Sequence, residues 1–347
     1  MAFWRSALAI GLVVIAAIIL NQLNSVGERS VVLQVIKYFC RPHAMIPTND
    51  VNTPANWVGP NMMKRVSDWR YDLSAFEIDE IRRSVSVAVA LNKTLNQYVA
   101  ADLQLPSLKS NIIHWKRNLD AKYGLGVVII RGVPVREWSE QESKVFWWCF
   151  GQHMGVPGAQ NGKGDLLGHV RNEMASPDPI AGSLQTPVSG AESNGIGKIR
   201  QYRTNEFIPF HCDVADVVGL FCLSAAGVQG GASRLTSSVR VFNELRARRP
   251  DLVPLLFEST PLDTRGDGGL NWFTVIPSRY YNSVLRTFWH TQYFLTVFKH
   301  KSAPKGPSEK LLDLVRVYDE IANDPQVYLE TEFLEGDIQL ISNHIVS

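Results

Sequence analysis

The order of local patterns along the chain is the sequence feature that most limits its possible folds. Helical patterns come first, and short strand-like segments dominate the second half of the chain. A parallel α/β fold needs strands and helices that alternate, whereas this order is typical of an α+β domain. We therefore predict an α+β fold with an antiparallel barrel or sandwich at its centre.

Capping signals locate the first helices. Ser74 followed by Glu77 forms a capping box and predicts a helix over 75–95, and Ser139 with Glu142 opens another. Apolar side chains at helical spacing predict a helix over 108–122. The remaining predicted elements are strands at 126–132, 217–223, 234–238, 271–276, 287–298, 327–334 and 338–346, and helices at 239–248 and 308–323.

The amino-terminal segment differs in kind from the rest. The run from Ala7 to Leu20 carries no charge, has a length between that of a signal peptide and a short membrane span, and lacks an A-x-A cleavage site. We therefore expect residues 1–25 to form a hydrophobic helix that anchors the protein in a membrane through residues 3–20. The alternatives are a cleaved signal on a secreted protein or an extension on a cytoplasmic one. Residues 26–56 read as a linker and 57–347 as the folded domain.

Overall composition excludes several classes of protein. The hydrophobic content of 45% with 20% charged residues is that of a globular protein. A formal net charge of +2 without blocks of like charge argues against a nucleic-acid partner. Four widely spaced cysteines without a C-x-x-C pair indicate neither a disulfide framework nor a zinc knuckle. A small molecule is the expected partner, and the oligomeric state is not defined by the sequence.

An apolar stretch at 209–223, PFHCDVADVVGLFCL, carries the strongest candidate site. On a strand, His211 and Asp213 would face the same side, and an unpaired carboxylate there would be costly to bury. The pair is either half of a metal site or an ordinary hydrogen-bonded pair, and Asp216 is either solvent-facing or adjacent to the site. With a second histidine from a distant strand, it would form the two-histidine, one-carboxylate face of non-haem iron oxygenases.

Longer segments around this pair resemble a known family. YRTNEFIPFHCDVADVVGLFCL at 202–223, GGASRLTSSVRVFNELRARRPDL at 230–252 and LEGDIQLISNH at 334–344 closely resemble the taurine dioxygenase-like (TauD/TfdA) family of Fe(II)/2-oxoglutarate dioxygenases. The resemblance covers roughly Trp57 to the last residue. It implies a double-stranded β-helix, the clavaminate synthase-like jelly roll, with flanking helices.

The resemblance also implies cofactors and site residues. His211 and Asp213 correspond to the first two iron ligands, and Ser233 stands where the family places a hydroxyl that bonds a carboxylate of the co-substrate 2-oxoglutarate. By the same resemblance, Asn205 is expected to be a polar contact for co-substrate or substrate. For Ser233 and Asn205 the alternative is ordinary turn chemistry. The implied activity is hydroxylation of a small organic substrate, and the competing class is a non-catalytic, degenerate β-barrel protein tethered to a membrane.

The third iron ligand of the family is a histidine a few residues beyond Asn343, followed by an arginine. We therefore expect the domain to be C-terminally incomplete, so that the chain as written lacks the third ligand. His344 lies about 13 Å short of the expected position along a strand, so it is either a displaced ligand or a residue lining the pocket.

Other histidines and aromatic residues lie in unrelated local patterns. We expect structural or surface roles for His153, His169, His290 and His300. The aromatic residues of 272–281 and 286–294 either form the barrel core or line a pocket.

Overall fold

The structure, a computed structural model, describes residues 45–158, 160, 165–171, 208–213, 215–225, 231–264 and 271–347. Within these ranges the chain is α+β, which confirms the fold class predicted from the order of the sequence patterns. The predicted amino-terminal hydrophobic helix and most of the predicted linker lie outside the described residues.

The described part of the chain contains seven α-helices. They are α1 (Gly59–Met62), α2 (Ala75–Ala90), α3 (Lys109–Asn118), α4 (Glu140–Met154), α5 (Ser238–Arg248), α6 (Thr291–Thr296) and α7 (Glu309–Ala322). The hydroxyls of Ser74, Ser139 and Ser308 accept backbone N–H groups at the starts of α2, α4 and α7. The capping boxes predicted at the first two helices are confirmed. Short 3₁₀ helices lie at Met63–Asp68, Leu95–Gln97, Ala100–Asp102, Val135–Glu137, Val253–Phe257 and Val297–Lys299.

One four-stranded sheet and three two-stranded sheets form the β part. The strands are β1 (Arg70–Asp72), β2 (Val127–Arg131), β3 (Val217–Phe221), β4 (Ala232–Leu235), β5 (Thr260–Asp263), β6 (Trp272–Val275), β7 (Ser278–Tyr281), β8 (Val284–Thr287), β9 (Leu329–Glu332) and β10 (Ile338–Ser342). The larger sheet has the order β1-β2-β10-β3, in which β1 and β2 are parallel and β10 is antiparallel to both of its neighbours. The antiparallel pairs β4–β9, β5–β6 and β7–β8 form the smaller sheets.

The four-stranded sheet separates two apolar clusters. Side chains at alternate positions of β2 point to opposite faces, so that Val127 and Ile129 join cluster A while Val128 and Ile130 join cluster B. Cluster A also contains the apolar side chains of α5 and α7, and cluster B contains those of α2, α3 and α4. Full burial of one such aliphatic side chain contributes about 1.5–3 kcal/mol. The site-bearing sheet is therefore fixed from both faces.

The predicted strand over 287–298 is wrong for most of its length. The chain leaves β8 at Thr287 and forms α6 from Thr291. Its aromatic residues favour a strand by propensity, but tertiary packing decides their conformation. Trp289 stacks on Tyr318 of α7 with ring centroids 3.8 Å apart, and Phe294 is buried in cluster A. These aromatic residues thus belong to the core.

Besides most of β8, three short strands escaped sequence analysis. The strands β1, β5 and β7 have only three or four residues each, and β5 contains Pro261. Such segments show too few alternating positions to be recognised, and proline argues against a central strand. Pairing with neighbours far along the chain determines them instead.

The predicted membrane location requires correction. No helix in the described ranges is long and apolar enough to cross a membrane. A spanning helix needs about 20 consecutive apolar residues, and α2, with 16 residues, has charged side chains along it. The predicted membrane anchor is therefore not supported by any helix of the described residues, and it plays no part in the functional proposal below.

A buried ion pair fixes the turn into β10. Asp337 is fully buried, and its carboxylate accepts hydrogen bonds from Nε and Nη2 of Arg131 at 2.8–3.2 Å and from the backbone N–H of Leu334 at 2.9 Å. Gly336 adopts φ +84°, and a Cβ there would lie 2.3 Å from the carbonyl oxygen of Val133. The turn therefore requires both this glycine and the paired charges.

We predict that Asp337→Asn lowers the free energy of unfolding by about 2–3 kcal/mol, because it leaves the Arg131 charge without its carboxylate in a largely buried position. Urea denaturation measures this effect. The control is Glu335→Gln, two residues before Asp337. It removes the ion-pair partner of Arg136, whose side chain is 81% exposed. It should change stability little, because exposed pairs contribute little. Equal losses in the two variants would contradict the structural role of the buried pair.

Candidate metal and co-substrate site

His211 is anchored by the chain segment that follows β8. It forms an isolated antiparallel bridge with His290, and the backbone N–H of Cys212 donates to the carbonyl of Trp289 at 2.7 Å. The imidazole Nδ1 lies 2.8 Å from the carbonyl oxygen of Pro209. Because a carbonyl oxygen can only accept, Nδ1 carries the proton of the neutral ring and Nε2 presents a lone pair. This is the state in which histidine binds a metal ion.

Asp213 does not share a regular strand with His211. The bridge at His211 ends the local pairing, and β3 begins only at Val217. The Asp213 side chain is exposed. The free-energy cost of burying an unpaired carboxylate, which the predicted strand implied, therefore does not arise. The prediction that His211 and Asp213 face the same side assumed a continuous strand, and the described residues contain no such strand. Other contacts must therefore position the Asp213 segment.

Asn343 supplies those contacts. Its side-chain Nδ2 donates to the carbonyl oxygens of Asp213 and, at 3.3 Å, of Ala215, and its backbone N–H donates to the carbonyl of Asp216 at 3.1 Å. Asn343 is 1% exposed and directly follows β10. The segment that carries Asp213 is therefore fastened to the end of the central strand.

His290 lies beside His211, although the sequence suggested only a structural or surface role for it. The two ring centroids are 5.2 Å apart, and the His290 ring stacks on Tyr293 at 3.6 Å with an interplanar angle of 11°. Sequence analysis missed this neighbour because His290 lies where the chain passes from strand to helix and follows no period. The aromatic stretch around it was the only signal.

Ser233 contacts a different part of the site-bearing sheet. It lies in β4 opposite Thr331, and its hydroxyl donates to Oε1 of the buried Gln339 in β10 at 2.5 Å. No hydrogen bond in the described residues joins Ser233 to His211 or Asp213. Asn205, the other predicted co-substrate contact, lies outside the described residues.

His344 faces Asp216. The imidazole Nε2 lies 3.5 Å from the Asp216 carboxylate, and the buried ring lines a small cavity with Arg279 and Arg286, which oppose each other across β7 and β8. Across the described ranges, no group of three His, Cys, Asp or Glu side chains is arranged to hold a metal ion. His344 is thus not gathered with His211 and Asp213 into a three-ligand group.

The other predicted histidines have local partners. His153 on α4 lies 2.8 Å from the carbonyl of Leu103, and His300 lies 3.0 Å from the buried carboxylate of Asp263. The Cys212 thiol is fully buried, and burial raises its pKa to about 11. It is therefore a protonated core thiol.

The fold defined by these elements is that of known oxygenases. The structure of asparagine oxygenase in complex with Fe(II), 2S,3S-3-hydroxyasparagine and succinate matches with a TM-score of 0.55 and 13% identity, covering 80% of this chain and 86% of that one. A second structure of asparagine oxygenase matches with a TM-score of 0.54 and 13% identity, covering 80% and 85%. At this identity the likeness establishes a common fold, the jelly roll of 2-oxoglutarate oxygenases.

The chain belongs to the taurine catabolism dioxygenase TauD, TfdA family, whose model matches residues 91–347. FR-33289 synthase of Streptomyces rubellomurinus is 29% identical over 231 residues, which are 65% of this chain and 62% of that protein. The taurine hydroxylase-like protein SAT17 of Stachybotrys chartarum is 21% identical over 308 residues, which are 87% of this chain and 75% of that protein. The chain thus spans less than two thirds of the first relative. The family resemblance inferred from the sequence is confirmed.

Asp319 of α7 organises the segment that leads to His290. Its carboxylate accepts from Nε1 of Trp289 at 3.0 Å and from the hydroxyl of Thr291 at 2.7 and 2.8 Å. Burial raises the pKa of this carboxyl above its usual range, although the hydrogen bonds from Thr291 and Trp289 partly offset the effect. Because this pKa is raised in the folded state, folding favours the protonated carboxyl. The stability that the protonated group contributes is therefore present at low pH and is lost as pH rises through the folded-state pKa.

We predict that Asp319→Asn unfolds at pH 7 with a free energy equal to or above that of the wild type, because the amide keeps an acceptor oxygen and removes the cost of burying a charge. The difference should shrink as the pH is lowered toward the ordinary range of an aspartate. Urea denaturation at several pH values measures both.

The control for this prediction is Asp319→Leu, which removes the acceptor. It should cost about 1–3 kcal/mol at every pH, because Trp289 and Thr291 lose their buried partner. An Asn variant as unstable as the Leu variant would contradict the assignment.

Proposed function

We propose that this protein is an Fe(II)- and 2-oxoglutarate-dependent dioxygenase that hydroxylates a small organic substrate. His211 and Asp213 are its two proposed iron ligands, and Ser233 and Asn205 are its proposed contacts to 2-oxoglutarate. When bound, iron and 2-oxoglutarate would supply the activation of dioxygen and the oxidising equivalents for hydroxylation of a C–H bond.

The single observation that carries the proposal is the contact between His211 Nδ1 and the carbonyl of Pro209 at 2.8 Å. It fixes the ring and, in the neutral imidazole, places the proton on Nδ1 so that Nε2 carries the lone pair that can bind a metal ion. Metal-binding histidines usually have such a partner on their second nitrogen. The exposed Asp213 carboxylate supplies a hard oxygen ligand two residues away, and the pair suits a ferrous ion.

Ser233 supports the co-substrate part of the proposal. Its hydroxyl can rotate to donate to a carboxylate while its oxygen accepts a different bond. Gln339 receives that donor in the structure and is itself buried on β10. Ser233 would therefore exchange one hydrogen bond for a charge-assisted one when a carboxylate binds, and charge-assisted bonds are the stronger kind.

The substrate is proposed only as a class. Asparagine oxygenase, which has the same fold, was captured with a hydroxylated amino acid and succinate. By analogy, we propose a small organic molecule as the substrate of this protein. Residues of the protein would bind and orient it beside His211, next to the stacked rings of His290 and Tyr293.

The test measures release of succinate from 2-oxoglutarate by the full chain with Fe(II) and ascorbate, across a panel of amino acids and small sulfonates. We predict that His211→Ala lowers the rate at least about 100-fold, since loss of a direct ligand should exceed the 10–100-fold cost of losing an outer partner.

The matched control is His153→Ala. His153 also directs one ring nitrogen at a backbone carbonyl at 2.8 Å, but on α4. It should keep the wild-type rate per folded molecule. Succinate release that persists in His211→Ala would exclude the metal assignment, and no release by the wild-type chain would favour the non-catalytic alternative.

A further inference from the structure

Two separate elements hold the two proposed iron ligands. His211 is held by the bridge to His290 and by the hydrogen bond from Cys212 N–H to the carbonyl of Trp289. Asp213 lies beyond that bridge and before β3, so no strand pairing fixes its backbone. The relative position of the imidazole and the carboxylate therefore depends on whatever holds the segment that contains Asp213.

We propose that Asn343 is a positioning residue that sets the Asp213 carboxylate relative to the His211 imidazole. The inference rests on the proposed metal site and adds to it a residue that touches neither metal nor substrate. It follows from the contacts of Asn343: two side-chain hydrogen bonds, to the carbonyls of Asp213 and Ala215, and one backbone hydrogen bond to the carbonyl of Asp216.

The position of Asn343 makes this role effective. All five residues of β10 are buried, and β10 pairs with both β2 and β3, so its end is a fixed point of the fold. Asn343 is itself 1% exposed, and a buried amide that loses its acceptors is costly, which resists movement of the segment. The exposed Asp213 carboxylate is thus supported from its backbone side by a buried donor.

A second pair of groups reinforces the same connection. His344 is the next residue, and its Nε2 lies 3.5 Å from the carboxylate of Asp216. Its backbone carbonyl instead accepts from Thr287 N–H at 2.8 Å, at the end of β8. Asn343 and His344 therefore join the segment after Asp213 to the strand that leads to His290.

The test uses the full chain and Co(II) alone, titrated without oxygen or 2-oxoglutarate, with the visible absorption bands of bound Co(II) as the readout. We expect Asn343→Ala to weaken Co(II) binding about tenfold or more and to change the band shape, because loss of an outer partner of a metal site typically costs 10–100-fold in affinity.

Asn343→Asp sharpens the test. It keeps the shape of the side chain but loses both donors, and its added negative charge would, by electrostatics alone, attract the cation. Weaker Co(II) binding in this variant therefore reports a displaced Asp213 rather than a change of charge. It also covers the case in which the alanine variant does not fold.

The matched control is Asn243→Ala. Asn243 on α5 is a second buried amide that bonds to backbone groups, donating to the carbonyl of Val51 at 3.1 Å and accepting from its N–H at 2.9 Å. Its loss should reduce thermal stability as the loss of Asn343 does, but leave Co(II) affinity and spectrum unchanged.

The outcomes separate this inference from the proposed function. If His211→Ala weakens Co(II) binding while both Asn343 variants bind as the wild type does, the positioning role is overturned and the metal site stands. If His211→Ala binds Co(II) as the wild type does, the metal site fails and the positioning role with it. If Asn243→Ala weakens Co(II) binding as much as Asn343→Ala does, the effect reflects general loss of stability, and the inference is also overturned.

Discussion

Strand β10 is the constraint on which the rest of this structure depends. It is buried along its whole length and pairs with β2 on one side and β3 on the other. Its first turn is held by the buried pair Asp337 and Arg131, and the residue after its end, Asn343, fastens the segment that carries Asp213. The same strand also holds Gln339 against Ser233. The described contacts of the Asp213 segment and of Ser233 thus both lead back to one strand.

Local signals in the sequence predicted the helices well, because capping is a local interaction. The helix that begins after Ser74 was predicted from its capping box, and it ends at Ala90, close to Asn92 in the left-handed region with φ 49°. Family membership was also readable, since the His-x-Asp stretch and the glycine-rich stretch after it are contiguous in sequence. The predicted iron and 2-oxoglutarate dependence agrees with this family.

Contacts between distant segments could not be predicted, for physical reasons. Asn343 and Asp213 are 130 residues apart, and neither lies in a period that points to the other. His290 was assigned no place near the metal pair because it follows no local period where the chain passes from β8 into α6. The membrane assignment relied on the hydropathy of one segment, and no helix of the described residues is long and apolar enough to cross a membrane.

The alternation of β2 between clusters A and B has a consequence for how the protein melts. Both clusters contain side chains of β2, so loss of this strand from one cluster also removes it from the other. The two layers should therefore come apart in one cooperative event rather than as separate foldons. A substitution on one face that displaces the backbone of that strand would therefore disturb the packing of both clusters.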